Sequence, residues 1–579
     1  MAYSRIVVER DVAVPMRDGV VLRADVYRPD GADGCPVLME RTPYDKKARG
    51  RPGVLLDALR YAEQGYAVVV QDTRGRFASD GAFYPFRGEA ADGADSIAWA
   101  AALPYSNGRV GLFGASYAGA TQWLAASTTP PALAAMAPAR TAASYYQPWA
   151  YQGGVLQLGF LLHWALSSLG PDTVRRLVAA GSAPPDWPRR LGQAIDAFEE
   201  LARERPPLAH GPVAELAAAA LPYFHDWLAH PTDDAYWRAY DVERRLDAVA
   251  TPTLHIGGWY DIFLQGTLRA FVAMQGRDGA GGVPRQRLVI GPWAHGPMND
   301  AVGAVQFGVA AGGEAAGVGA MLRQWFDAWL RGDEAGLAGQ APVRLFVMGV
   351  NTWRDEAAWP LARALPTRYY LHAGGGLSEE SPRHEAPDSY RYDPTDPAPT
   401  LGGGTLMEGH AVNRNAGPRD QRPLEARPDV LVYTSPPLAR PLEVTGPVSL
   451  ELYASSSAED TDWVARLIDV HPDGAAILIA DGIVRARYRD GTATPAFLEP
   501  GRVYRFTVDL VATSNLFRAG HRLRVHVTSS SFPRFAPNPN TRVDNPYFEP
   551  TEPRVAEQTI YHDASYPSCI VLPVVPAAN

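Results

Sequence analysis

Three residues of the types that together carry out nucleophilic acyl transfer stand at the ends of apolar runs: Ser116, Asp261 and His295. Around the serine the chain reads Arg109-Val-Gly-Leu-Phe-Gly-Ala-Ser-Tyr-Ala-Gly119. An apolar strand runs into Gly114-Ala-Ser116, and a helix of small residues follows at once. A serine presented on such a sharp strand-to-helix turn is held in a strained backbone conformation, so its neighbours two positions away must be small. Gly114 and Ala118 meet that condition, and Gly119 lets the helix approach the sheet. The strict G-x-S-x-G spacing is not met, because the second glycine falls one place late. A strand–turn–helix with an incidental serine has the same local pattern.

The partners strengthen the catalytic reading. An α/β-hydrolase takes serine, acid and histidine in that chain order, with acid and base on loops after later strands of the core. Thr253-Leu-His-Ile-Gly-Gly-Trp-Tyr-Asp261 and Arg287-Leu-Val-Ile-Gly-Pro-Trp-Ala-His295 each break a strand at glycine, pass an aromatic and deliver a polar group. His295 would take the Ser116 proton while Asp261 fixes the imidazole tautomer. Taken singly, Asp261 also reads as a helix cap before Ile262, and His295 as an ordinary loop histidine. The helix start at Tyr117 offers its backbone N–H to an oxyanion. The loop after the third strand has no glycine run, which leaves the Tyr44 hydroxyl as the second donor or as a packing aromatic with a solvated hydroxyl.

Those groups need a frame. Short strand signals at residues 12–15 and 20–27 read as a hairpin, and runs at 36–40, 67–71, 110–113 and 133–137 suit buried parallel strands. Helix-length segments at 54–64 and 90–102 alternate with them, predicting a doubly wound, mostly parallel sheet. From 145 to 246, Ala/Leu/Arg segments with helical periodicity and Pro-rich breaks predict a helical cap. Strands at 253–256 and 287–290 and a helix at 318–330 resume the core. Beyond 341 the texture turns to polar/apolar alternation between Gly/Pro/Asp turns, at 343–348, 368–371, 448–453, 463–470, 503–510 and 523–528. That pattern predicts an antiparallel β-sandwich. The expected organisation is core at 1–144 and 247–340, cap at 145–246 and sandwich at 341–579.

Composition bounds the rest. A chain of 579 residues with 46% hydrophobic and 20% charged residues can bury large cores in two or three domains. The 54 glycines and 51 prolines favour many tight turns over long helices. A net charge of −9 provides no basic footprint, so nucleic acid is not an expected partner. Cys35 and Cys569, the only cysteines, form neither a disulfide framework nor a zinc motif and read as buried inert thiols. The first residues lack a signal-peptide core, and no run reaches a membrane span. A cytoplasmic location without membrane attachment is therefore expected. No cofactor or metal is implied, and the sequence leaves a homo-oligomer open.

Five phrases together resemble the cocaine esterase / X-Pro dipeptidyl-peptidase family of serine hydrolases. They are Arg41-Thr-Pro-Tyr44, Gln71-Asp-Thr-Arg-Gly-Arg76 with Ser79-Asp-Gly81, Gly114-Ala-Ser-Tyr-Ala-Gly119, Gly257-Gly-Trp-Tyr-Asp261 and Gly291-Pro-Trp-Ala-His295. The resemblance implies Ser116 as nucleophile, Asp261 and His295 as its partners, and an oxyanion hole from the Tyr44 hydroxyl and the Tyr117 N–H. It also implies that the β-rich tail is a jelly-roll. Asp72, Arg74 and Arg76 look like a structural charged turn. Relatives acting on α-amino acid esters place acidic residues after the triad aspartate, whereas this chain has Ile262, Phe263 and Leu264. A buried, unpaired substrate ammonium would cost several kcal/mol there. Tyr145, Tyr146, Trp149, Trp164, Trp259 and Phe263 form the expected pocket wall, with Leu406 or Met407 contributing. The expected function is hydrolysis of small-molecule esters with bulky hydrophobic or aromatic acyl groups. The alternative is an amide-cleaving relative, either an X-Pro dipeptidyl-peptidase or a β-lactam acylase.

Overall fold

Ten strands form the first sheet of the computed structural model, which describes residues 5–48, 55–276, 283–407, 416–549 and 551–576. In chain order they are β1 (Ile6–Pro15), β2 (Val21–Pro29), β3 (Cys35–Thr42), β4 (Ala67–Asp72), β5 (Ser106–Ala115), β6 (Leu133–Ala139), β7 (Thr253–Tyr260), β8 (Gln286–Ala294), β9 (Val343–Val347) and β10 (Thr352–Glu356). Across the sheet they run β1-β2-β4-β3-β5-β6-β7-β8-β9-β10. The β1–β2 hairpin and the β2–β4 and β9–β10 pairs are antiparallel, and the central pairs from β4 to β9 are parallel.

Parallel strands must be covered on both faces, which explains why every residue of β3, β4 and β7 is buried. Alternate residues feed different cores. Val37 and Met39 join the cluster on the side of Trp123 and Trp149, while Leu38 joins the opposite one with Phe113 and Trp325. Cys35 and Cys569 are free and buried.

Between β6 and β7 the chain leaves the sheet for a helical insertion that includes Leu158–His163, Gly170–Ala179, Trp187–Asp196, Phe198–Arg203, Ala214–Ala220 and Pro222–Ala229. The chain enters this insertion through Tyr146–Ala150, where Gln147 and Pro148 depart from helical geometry, and a wide π-helical turn follows at Trp164–Leu169. Of the helix expected at 54–64, Ala58–Glu63 is helical, and Val54 lies outside the described residues.

The C-terminal half is a jelly-roll built on long antiparallel strands, among them Leu442–Ser456, Asp462–Val470, Ala476–Arg485, Tyr504–Phe517 and Arg522–Thr528. Its core includes Leu450, Trp463, Phe506 and Val525. One expectation is corrected here. The strand predicted at 343–348 does not open the sandwich, because β9 pairs in parallel with β8 through Leu288–Val343 and Ile290–Leu345. The core sheet therefore continues to Glu356. Alternation marks a strand but not the sheet it joins. Among the described residues no helix is long and apolar enough to cross a membrane.

Candidate active site

The turn after β5 is strained as its sequence demands. Ser116 sits at φ 59° and ψ −126°, a conformation that non-glycine residues rarely adopt. A methyl group on Gly114 would come within 2.7 Å of the Ala118 side chain, and one on Gly119 within 2.6 Å of Thr141. Only glycine at these two places lets strand, turn and helix close on one another. The Ser116 N–H donates to the Ala139 carbonyl at the end of β6 (3.0 Å), which anchors the turn to its neighbour strand.

Asp261 follows β7 and His295 follows β8, so all three side chains meet at the carboxyl edge of the parallel strands β5, β7 and β8. His295 Nε2 lies 3.1 Å from Ser116 Oγ, and His295 Nδ1 lies 3.0 Å from Asp261 Oδ2. The Asp261 side chain is fully buried, and its other oxygen accepts the Phe263 N–H at 2.6 Å. With one oxygen held by backbone and the other facing the imidazole, the carboxylate keeps a single orientation.

Tyr44 closes the far side. Its hydroxyl accepts from Trp164 Nε1 at 2.9 Å and lies near Ser116. Burial pushes the phenol up to about 12, so Tyr44 keeps its proton and remains a donor at any ordinary pH. Tyr117 is the first residue of its helix, so its N–H has no intrahelical acceptor and is free for an incoming oxygen. Its side chain is pinned underneath: the hydroxyl donates to Glu89 (3.0 Å) and accepts the Phe86 N–H (2.9 Å). Glu89 in turn pairs with buried Arg41 at 2.8 Å.

Comparison with known proteins gives the family. The model of the X-Pro dipeptidyl-peptidase (S15 family) matches residues 18–297, a span that includes Ser116, Asp261 and His295. The X-Pro dipeptidyl-peptidase C-terminal non-catalytic domain matches residues 335–571. Cocaine esterase of Rhodococcus is 41% identical over 98% of both chains. The chain belongs to the cocaine esterase / X-Pro dipeptidyl-peptidase family of serine hydrolases. Among solved structures, an α-amino acid ester hydrolase superposes with a TM-score of 0.83 at 29% identity, covering 98% of this chain and 96% of that one. An aminopeptidase from a marine sediment archaeon, Thaumarchaeota archaeon, gives 0.83 at 26% identity, covering 99% and 96%.

Within this serine hydrolase the expected pocket aromatics separate into two groups. Trp149 stacks on Phe263 with centroids 4.2 Å apart, and the Phe263 ring stands edge-on to His295 at 5.1 Å. Trp164 lies 5.5 Å from Trp149, and Phe160, which the sequence reading missed, stacks on Trp164 at 5.7 Å. Met407 and Leu406 pack into the same cluster. Tyr145 is one layer back, stacked on Phe86 at 4.0 Å. Tyr146 stacks on Tyr151 at 4.9 Å and donates to the Pro231 carbonyl at 2.9 Å, inside the insertion. Trp259 is not brought to the wall: its indole donates to the Phe346 carbonyl (2.7 Å), and it belongs to a separate core with Trp359. On β7 its side chain takes the opposite face from its neighbours, a parity that burial alone does not reveal.

The charged turn is structural. Asp72 pairs with Lys46 at 2.8 Å and Arg74 with Asp92 at 2.6 Å, while Arg76 Nη1 reaches the Leu169 carbonyl of the insertion at 2.9 Å. Sequence reading also missed Arg140, buried just after β6 at φ 46°. Burial pulls its guanidinium below the ordinary arginine range, and the nearby negative charge of Asp261 opposes that pull.

Proposed function

We propose that the protein is a carboxylic-ester hydrolase working through an acyl-enzyme on Ser116, with a preference for bulky hydrophobic or aromatic acyl groups. The observation that carries this reading is the hydrogen-bonded chain Ser116–His295–Asp261 beside an aromatic wall that contains no carboxylate at the positions after Asp261. Ser116 Oγ attacks the ester carbonyl as His295 Nε2 takes its proton. The carbonyl oxygen becomes an oxyanion held by the Tyr44 hydroxyl and the Tyr117 N–H. Collapse of the tetrahedral species expels the alcohol, which receives the proton from His295, and leaves the acyl group on Ser116. Water then repeats the sequence in reverse order, with His295 again as base, and releases the acid. Asp261 keeps the Nδ1 proton in place and stabilises the imidazolium.

Ile262, Phe263 and Leu264 are all buried and apolar, so a substrate ammonium finds no partner there. This supports simple esters over α-amino esters. The amide-cleaving alternative draws its support from the fold shared with the archaeal aminopeptidase. Parallel assays of p-nitrophenyl benzoate, p-nitrophenyl acetate and Ala-Pro p-nitroanilide decide between them. The ester reading expects kcat/KM in the order benzoate, acetate, anilide. Faster turnover of the anilide would replace it with the peptidase reading.

A further inference from the structure

Away from the triad, the jelly-roll places two imidazoles and a carboxylate side by side. Asp469 lies near the end of the strand Asp462–Val470 and His471 just beyond it, two residues on, which directs both side chains to one face. His521 immediately precedes the strand Arg522–Thr528, whose register sets Arg522 against Val470. One further step along that register brings His521 opposite His471, and the two ring centroids are 4.6 Å apart. Asp469 reaches both rings: Oδ1 is 2.8 Å from His521 Nδ1 and Oδ2 is 3.8 Å from His471 Nε2. One ligating atom from each residue lies within 4.8 Å of the other two.

The surroundings favour a bound ion over a simple hydrogen-bonded cluster. The three residues line a cavity of about 270 Å³ at the seam with the core sheet. Asn351 and Asn515 line it too: the Asn351 Oδ1 lacks a hydrogen-bond partner and can accept from a metal-bound water, and the Asn515 Nδ2 is likewise unpartnered. Asn515 is only 2% exposed. Orphaned buried polar atoms around a polar cavity call for something to solvate. Arg518 also faces this region, but its guanidinium is engaged by the Gly349 carbonyl at 2.6 Å and 3.2 Å.

We propose that Asp469, His471 and His521 form a binding site for a divalent transition-metal ion of the zinc class, with a remaining coordination position open to the cavity. Two imidazoles and one carboxylate suit zinc, whereas calcium and magnesium require more oxygen ligands. Bonds of about 2.0–2.1 Å in a tetrahedron put donor atoms about 3.3 Å apart. One Asp469 oxygen lies 2.8 Å from His521 Nδ1 and the other 3.8 Å from His471 Nε2, so small side-chain adjustments bring one donor of each residue to that spacing. Binding displaces the proton that His521 shares with Asp469, and the ion takes its place. Tyr260, directly before Asp261, lines the same cavity and donates to the Leu478 carbonyl at 3.1 Å. The ion thus stabilises the seam between sandwich and core and takes no part in acyl transfer.

The test uses the full-length protein stripped with EDTA and titrated with zinc chloride by calorimetry. Cobalt chloride, followed by its visible absorption, reports on the ligand geometry. The expected result is one saturable ion per chain, a zinc-dependent rise in Tm, and binding weakened at least about tenfold in His471→Ala and in His521→Ala. Ser116→Ala retains the ion, and His471→Ala retains ester turnover. His471 lies partly exposed at the strand end, so its variant decides the question even if His521→Ala fails to fold. Absence of saturable binding, or zinc binding and a Tm rise unchanged in His471→Ala, would overturn the proposal.

Discussion

The hydrogen-bonded Ser116–His295–Asp261 chain and the aromatic wall beside it touch each other, yet they come from differently built parts of the chain. Ser116, Asp261 and His295 each leave the carboxyl end of a strand in one parallel sheet, and each is held by a further hydrogen bond or a strained turn. Trp149, Phe160 and Trp164 come from the insertion between β6 and β7, and they are held mainly by packing on one another and on Phe263. One polar link, from Trp164 Nε1 to the Tyr44 hydroxyl, joins the two. Hydrogen-bonded strand ends fix positions to a fraction of an ångström, which reaction geometry requires. Packed aromatics fix shape and polarity, which is what the proposed acyl selectivity needs. The contrast implies that chemistry and selectivity can be damaged separately.

Mutations graded by their distance from the reacting atoms break that contrast in order. Ser116→Ala removes the nucleophile, and turnover and fluorophosphonate labelling should both vanish while Tm holds. Full activity in this variant would remove Ser116 from the mechanism. His295→Ala is expected to lower kcat by about 10⁴-fold or more, since base and nucleophile act as a unit. A loss of only tenfold in single-turnover assays would mean that another base serves. Tyr44→Phe should lower kcat by about 10²–10³-fold with little change in KM, because an oxyanion donor works only in the transition state. An unchanged kcat would reduce Tyr44 to packing.

Phe263→Leu belongs to the wall, so its effect should be smaller and selective. Loss of one stacking partner is worth about 0.5–1.5 kcal/mol, which lowers the benzoate-to-acetate ratio of kcat/KM by roughly 2–10-fold. An equal fall for both esters would show that Phe263 acts on His295 and not on the acyl group. The mildest effect concerns acid. His255 within β7 is held down to about 4 by burial, which its bond to Gln286 only partly offsets. Between pH 4 and about 6.5 the unfolded chain binds a proton that the native state refuses, so stability rises with pH across this window and levels off above it. His255→Gln should flatten that slope in Tm measurements, and an unaltered slope would assign it elsewhere.

How far each feature was legible in the sequence follows from the range of the forces involved. The elbow could be read from Gly114, Ser116, Ala118 and Gly119 because steric fit around a strained turn is a local matter. The strands carrying Asp261 and His295 showed as short apolar runs ending at glycine. The strand β9 was recognised as a strand but assigned to the wrong sheet, since its alternation would serve either. Within the segment read as a helical cap, the helix breaks between Asp196 and Phe198, and Ala197 gives no signal of that break. Trp149 and Trp259 both read as wall residues, and only the faces they occupy distinguish them.

From its own residues the chain determined the order of its elements, the small neighbours of Ser116 and the types of the two groups that join it, all of which depend on contacts a few positions long. The tertiary structure alone decided that Ser116 and His295, 179 positions apart, stand 3.1 Å from each other. It also decided that Arg140 lies near Asp261 and that His471 meets His521. Such pairings are set by which strands become neighbours and in what register, and that choice is made by burying whole faces of a sheet at once.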